Sequence, residues 1–365
     1  MVVSESASVV RSVGLTRRPV WVFGPVLDLV MSLCWVPVFL AAHVLTSGPG
    51  PAATHHLQEA VVLALLVSFL HQPLTFGLVY GDRSQFLQHR RLFVWGPVAA
   101  VAVAALAAIN GWWVVVPIAA AWNLQHVLQQ RYGIQRIYAG KSRCGSARLD
   151  RAAVYVPMAA VLLAVAATPA TPALVTRSGL DPRNAGGVGL LVHLRPVAAI
   201  LLAVALAATV VVFAAVVRQE LACGEQANPA KWLYQVSNLG LLASIVVDPA
   251  AGFVAYVSSH AIEYAVVVDR TAKRRYGTTT AAGQSSGGPG VLGHVARGTA
   301  GRLAYFSAIV LGALALHSWV HGAVFNTAVL SIGALHFTYD AVIWKLRKPA
   351  LARDLGLAGA ETAPT

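Results

Sequence analysis

Charge is scarce in this chain. Only 11% of its 365 residues are Asp, Glu, Lys or Arg, against roughly a quarter in a soluble domain. Carboxylates are scarcest, 14 facing 27 Lys and Arg for a formal net charge of +13. No polar stretch is long enough to fold as a separate soluble domain. The three cysteines, Cys34, Cys144 and Cys223, share no C-x-x-C spacing, which excludes a zinc finger. Cys144 and Cys223 fall in loops expected on the reducing side, so free thiols are expected and no disulfide. Also missing are a phosphate-binding glycine loop, a dinucleotide fingerprint and a nucleophile elbow. A reductant, if the chemistry needs one, has to come from an external electron donor or from the substrate.

Apolar residues are what remains. They make up 57% of the chain, the mean hydropathy is +0.65, and runs near 20 residues recur along the whole length, as membrane helices require. The expected fold is all-α: a polytopic integral membrane bundle of about ten transmembrane helices, with both termini cytoplasmic. The segments fall near 19–45, 56–80, 92–109, 112–132, 152–168, 195–217, 231–247, 250–268, 302–317 and 323–344. Residues 1–18 form a cytoplasmic tail, 19–348 the bundle, and 349–365 a disordered cytoplasmic tail. The Gly/Ser/Thr-rich stretch 277–290 is a flexible cytoplasmic loop. Trp112-Trp113 marks an interfacial aromatic belt. Segments 92–109, 152–168 and 195–217 are apolar all round and are expected to face lipid, leaving the others that carry polar groups to form the inner bundle.

Of the 27 Lys and Arg, only Arg177, Arg183 and Arg195 fall on the outer side. The basic charge therefore reports orientation by the positive-inside bias, and no nucleic-acid partner is implied. The lipid bilayer is the partner, the plasma membrane in a prokaryote. Arg17-Arg18-Pro19 imitates a twin-arginine signal, but the apolar run after it is too long and contains Asp28, so a retained first helix is expected.

Four of the twelve histidines lie well inside a predicted helix: His71, His126, His260 and His336. Each is on a segment running from outside to inside. From each to a basic residue at the inner boundary (Arg83, Arg136, Arg270, Lys345) there are about 9 to 12 residues, roughly 13–18 Å at 1.5 Å per residue. Arg131 comes sooner after His126 and is expected to snorkel to the surface. Each histidine has a polar residue one turn later on its own face. Thr75 follows His71, Gln130 follows His126, Glu263 and Tyr264 follow His260, and Asp340 follows His336; Asn123 extends the His126 face upward. Pro73, inside the first pair, predicts a kink that opens space for a ligand.

Imidazole is a natural ligand for iron, copper, zinc or nickel, and its second nitrogen needs an orienting partner. The four histidines are therefore candidate metal ligands. Thr75, Gln130 and Asn123 are candidates for holding the cofactor site, and Glu263, Asp340 and Tyr264 for catalysis; Glu263 or Asp340 could equally be ligands. A metal-free polar cavity and structural polar glue are the alternatives. His55-His56 and His317 with His321 are further pairs near the outer surface, best explained as solvated. Tyr80, Asp82 and residues 132–138 stand at the inner interface, where Arg136 and Lys141 suit anionic headgroups.

A helical membrane bundle with single histidines scattered over several helices resembles the Brp/Blh-type polytopic carotenoid-cleaving oxygenases. That resemblance implies histidine-ligated iron among membrane helices and a lipophilic substrate. Desaturases and membrane hydroxylases differ, because their histidines cluster in H-x-x-x-H and H-x-x-H-H boxes. The expected function is a membrane-embedded metal-dependent oxidoreductase, with non-haem iron, acting on a lipophilic small molecule. The alternatives are a haem-b electron-transfer protein and a proton-coupled transporter, although no internal repeat or Gly-broken helix pair supports the latter.

Overall fold

Proline decides where the first two membrane segments break. The computed structural model describes residues 19–357 except 49, 112–114, 179–184, 277–289, 296–297, 321 and 347. The 1–18 tail, Trp112-Trp113, most of the 277–290 loop and residues 358–365 therefore lie outside the described residues. The first segment is two helices, α1 (Pro25–Leu33) and α2 (Trp35–Thr46), parted at Cys34. Pro37 brings no N–H, and its ring clashes with the carbonyl four residues back at Leu33. The second segment likewise divides into α3 (Pro51–His71) and α4 (Leu74–Tyr80) around Gln72-Pro73. The tight Gln72 N–H to Phe69 bond of 3.2 Å closes α3. His71 is thus the last residue of its helix, and Thr75 is in the first turn of the next.

Short α5 (Arg83–Gln88), capped by the Asp82 carboxylate on Ser84 and Gln85 N–H, leads into α6 (Arg90–Asn110). Gly111, left-handed at φ 62°, ends α6. The chain continues through α7 (Val115–Ser142), α8 (Ala147–Ala167), α9 (Thr171–Arg177) and α10 (Ala185–Ala222). Then come α11 (Pro229–Val247), α12 (Pro249–Tyr276), α13 (Gly290–Val295), α14 (Thr299–Trp319), α15 (Gly322–Ile343) and α16 (Pro349–Asp354). No strand occurs among the described residues. Among the described residues, seven helical segments are long and apolar enough to cross a membrane. Helices α7, α11 and α15, of 28, 19 and 22 residues, are of comparable length but diluted by polar side chains.

Helix α12 is the hub. It packs against α2, α3 and α11, and 78% of its apolar window is buried, against 6% for α10. Its start is pressed onto the end of α11, where a Cβ on Gly252 would stand 2.4 Å from the Ile245 Cα, so only glycine permits this close helical hairpin. Helices α6, α10 and α14 are peripheral, with large aliphatic side chains turned outward. Helix α8, expected at the lipid face, is instead covered by α10 on one side and packs on α7 and α11 on the other. Its first turn buries Asp150.

Asp150 belongs to an ion cluster that sequence reading missed. Lys231, fully buried, reaches Asp150 at 2.9 Å and Glu220 at 2.6 Å, and Arg136 reaches Asp150 at 2.6 Å. Two acids and two bases thus tie α7, α8, α10 and α11 together at the basic end. Beside them Cys144 and Cys223 are joined in a disulfide, with Cα atoms 5.9 Å apart, which corrects the expectation of free thiols there. The two cysteines are 79 residues apart, and only the antiparallel packing of α8 on α10 brings the loops that carry them together. Protein purified in air and denatured should therefore expose one thiol, that of Cys34, and three after reduction. Three thiols before reduction would rule the bridge out.

The C-terminal tail is also more ordered than expected. Helix α16 and the residues after it bury Leu351 and Leu355 against Ile134, Ile137 and Tyr138, so folded chain continues to at least residue 357.

Candidate metal centre

The break at Pro73 turns His71 inward from the end of α3, while His126 stands in mid-α7, His260 on the hub helix α12 and His336 on α15. All four are buried, at 4%, 7%, 1% and 0% exposure respectively. Their rings form a closed circuit. Centroids are 4.8 Å apart for His71–His260, 5.2 Å for His260–His126, 4.7 Å for His126–His336 and 5.0 Å for His336–His71. One ring nitrogen from each lies within 4.8 Å of those of the other three. Matched depth in the sequence becomes convergence because the four helices surround one point.

The donor set fits a transition-metal ion. Two imidazole nitrogens about 2.1 Å from one ion stand roughly 3.0 Å apart at a right angle and 3.4 Å apart at the tetrahedral angle. The Nε2 atoms of His126 and His336 are 3.1 Å apart. Neither ring nitrogen of His71 or of His260 has a hydrogen-bond partner among the described residues. Leaving a buried polar atom unpaired costs about 1–3 kcal/mol, a cost that coordination through the lone pair removes.

Orientation of His336 follows from a count of protons. Asp340 Oδ1 accepts from the Thr75 hydroxyl at 2.8 Å and the Tyr264 hydroxyl at 2.9 Å. Thr75 has then given its only proton, so its 2.7 Å contact with His336 Nδ1 has the imidazole as donor. Nδ1 carries the hydrogen and Nε2 presents its lone pair to the centre, the tautomer being assigned from this network. The other Asp340 oxygen, Oδ2, lies 3.8 Å from Nε2 of both His336 and His126. The indole of Trp344 supports Tyr264 at 3.4 Å.

Partners cross between helices, which spacing along one helix did not predict. Thr75 serves His336 rather than His71, and Tyr264, expected beside His260, donates to Asp340 with its oxygen 2.6 Å from that of Thr75. Glu263 and Gln130 turn to another cluster: Glu263 accepts from Arg131 and from Gln130, both at 3.2 Å, and Gln130 also donates to the His260 carbonyl. Neither bonds to an imidazole. Half-buried Asn123 has no partner for its Oδ1. Arg131 does not snorkel. At 4% exposure it bonds to Asn238, Ser259 and Glu263 and lies over the Tyr256 ring. The signal that could have found this pair was already present, since an arginine and a glutamate at similar depths on two inner helices need each other.

The remaining candidates stand apart. His55 and His56 share the exposed Glu59 carboxylate in the first turns of α3. His321 and the side chain of His317 lie outside the described residues. Asp28 accepts from Tyr138 and from the N–H of Val22 and Phe23.

Fold and site define a multi-pass helical protein with membrane-length apolar helices and a buried four-histidine cluster able to hold a metal ion. No family model, curated protein or solved structure matches the chain.

Proposed function

We propose that this protein is a membrane-embedded metal-dependent oxidoreductase, with non-haem iron held by His71, His126, His260 and His336 and a lipophilic small molecule as substrate. The observation that carries this reading is the closure of four imidazoles from four helices into one buried ring, two of them with both nitrogens unpartnered. Iron held by these residues would supply dioxygen activation or electron transfer. The chain's own part is to hold the ligands and exclude water. Thr75 and Asp340 fix the His336 tautomer. Phe337, whose ring centroid is 5.0 Å from that of His126, and Trp122, 5.7 Å from Phe337, give one side of the centre an apolar aromatic wall. Such a wall suits an isoprenoid-like chain, in keeping with the resemblance to Brp/Blh-type oxygenases. The tight ring circuit favours a bare ion over haem, since a macrocycle between any two of these imidazoles would collide with the other two.

We further read α7, α11 and α15 as spanning helices beside the seven most apolar segments, which makes ten spans with both termini on the basic, cytoplasmic side. Elemental analysis of detergent-purified protein tests the centre: about one iron per chain is expected, with no Soret band. Wild-type protein loaded with iron and still free of it after desalting would end this reading.

Asp340→Asn keeps the shape of the carboxylate but removes its charge, and Thr75→Val removes the hydroxyl that receives His336 Nδ1–H. Loss of an orienting partner typically weakens a metal site 10–100-fold, and a chelator-competition titration should show a weakening of about that size for each variant. Wild-type affinity in both would show that these residues do not orient the ligand.

A further inference from the structure

Away from the histidines, a second set of buried polar groups runs along the seam of α7 with α11. On α7 it comprises Arg131, Gln135, Tyr138 and Ser142, whose spacings of four, three and four place them on one face. On α11 it comprises Lys231, Tyr234, Gln235 and the half-buried Asn238. Interfaces between membrane helices are normally built from small and apolar residues, and a polar file marks a path for ions or protons. From Arg131 to Ser142 the seam covers roughly 16 Å at 1.5 Å per residue, from near the level of the histidine centre to the basic end.

Two carboxylates stand at the ends of this file with two phenols between them. At the deep end is Glu263, bonded to Arg131 and Gln130. Arg131 also bonds to Asn238 of α11, and buried Tyr234 stands one turn before Asn238 on that helix. The Tyr234 ring centroid is 5.8 Å from that of Tyr138, whose hydroxyl donates to Asp28 at 2.9 Å. Asp28, on α1, is bracketed by the N–H groups of Val22 and Phe23, just inside the exposed Pro19-Val20 segment. Lys141 bonds the carbonyls of Trp21 and Val22 there. Alongside, Gln235 donates to Gln135 at 3.4 Å. Several atoms along the seam have no hydrogen-bond partner among the described residues: the Tyr234 hydroxyl, Gln235 Oε1, Asn238 Nδ2 and Arg131 Nε. Buried polar atoms of this kind are ordinarily completed by internal water.

We propose that Asp28, Tyr138, Tyr234 and Glu263 form a hydrated proton path from the basic end of the bundle to the level of the histidine centre. Each phenol oxygen, or a water beside it, accepts a proton as it releases its own. The proton comes from water or buffer at the basic end and ends on the Glu263 carboxylate; no electron moves. Glu263 is bonded to Arg131 and Gln130 from α7, and the other titratable groups whose charge acts on it are Tyr138 from α7, Tyr234 from α11, Tyr256 from its own helix and the Cys34 thiol at the α1–α2 break. Glu263 makes no hydrogen bond to the four imidazoles, so the path stands whether or not they hold metal.

Time-resolved infrared spectroscopy after a pH drop, on purified full-length protein, follows the carboxyl C=O band of Glu263 as it grows in. Glu263→Gln assigns that band by removing it. Tyr234→Phe and Tyr138→Phe keep ring and packing but remove one hydroxyl each, and each should slow the band about tenfold or more. Tyr155→Phe, whose hydroxyl accepts from Gln125 away from the file, should leave the rate unchanged. Two tyrosine variants are used so that poor folding of one does not decide the matter. Rates like wild type in the folded Tyr→Phe variants, or no band lost in Glu263→Gln, would overturn the path. The measurement needs no bound metal, so its failure is separate from failure of the oxidoreductase reading.

Discussion

His336→Ala and His126→Ala should each strip the protein of stoichiometric metal while leaving a helical, monodisperse bundle. The Nε2 atoms of these two residues are 3.1 Å apart, the separation expected of two ligands on one ion. Losing a ligand outright should cost more than the 10–100-fold typical of an orienting partner, enough to empty the site during purification. The two differ in what they leave behind. Without His336, Thr75 loses the donor to its hydroxyl oxygen, although Asp340 and Tyr264 remain bonded to one another. Without His126 the hydroxyl network is untouched and only the nitrogen at 3.1 Å is lost. Metal analysis beside circular dichroism and gel filtration reads both effects. Full occupancy in either folded variant would show that the imidazoles pack together for another reason.

The second large effect concerns Arg131 and Glu263. Removing one member of a buried ion pair strands the other charge, at about 3–5 kcal/mol, whereas replacing both with apolar residues can be neutral. Arg131→Leu and Glu263→Leu should each lower unfolding stability in detergent by about that amount, and the double variant by clearly less than the sum. The pair is 5% and 1% exposed, so solvent offers the stranded charge little relief. Single variants within about 1 kcal/mol of wild type would place this pair in contact with water and remove the argument from burial.

Much of the site was legible because the cost of burying an ionisable group in hydrocarbon leaves a mark in one dimension. A histidine or aspartate one to three turns from a basic boundary stands out in an apolar run, and His71, His126, His260, His336 and Asp340 were all visible this way. Thr75 and Tyr264 were visible as neighbours but were paired with the wrong histidines. Spacing along one helix shows which residues share a face and carries no information about which neighbouring helix that face meets. Glu263 was read with the histidines for the same reason, and the arginine that holds it was read as a surface residue. Lys231, Asp150 and Glu220 went unnoticed because each sits near a predicted helix end, where charge is ordinary.

Composition and hydropathy alone determine that this chain is an all-helical protein with membrane-length apolar segments, since in hydrocarbon a helix satisfies its backbone hydrogen bonds within itself. They also predict a basic end and a shared depth for the four histidines. Tertiary structure decided that α12 is the hub, that α8 is covered by α10, that Cys144 meets Cys223 and that Thr75 crosses to His336. Each of these depends on which helices become neighbours. Neighbour choice comes from side-chain shape and interhelical bonding summed over whole interfaces, and no local pattern of residues records that sum.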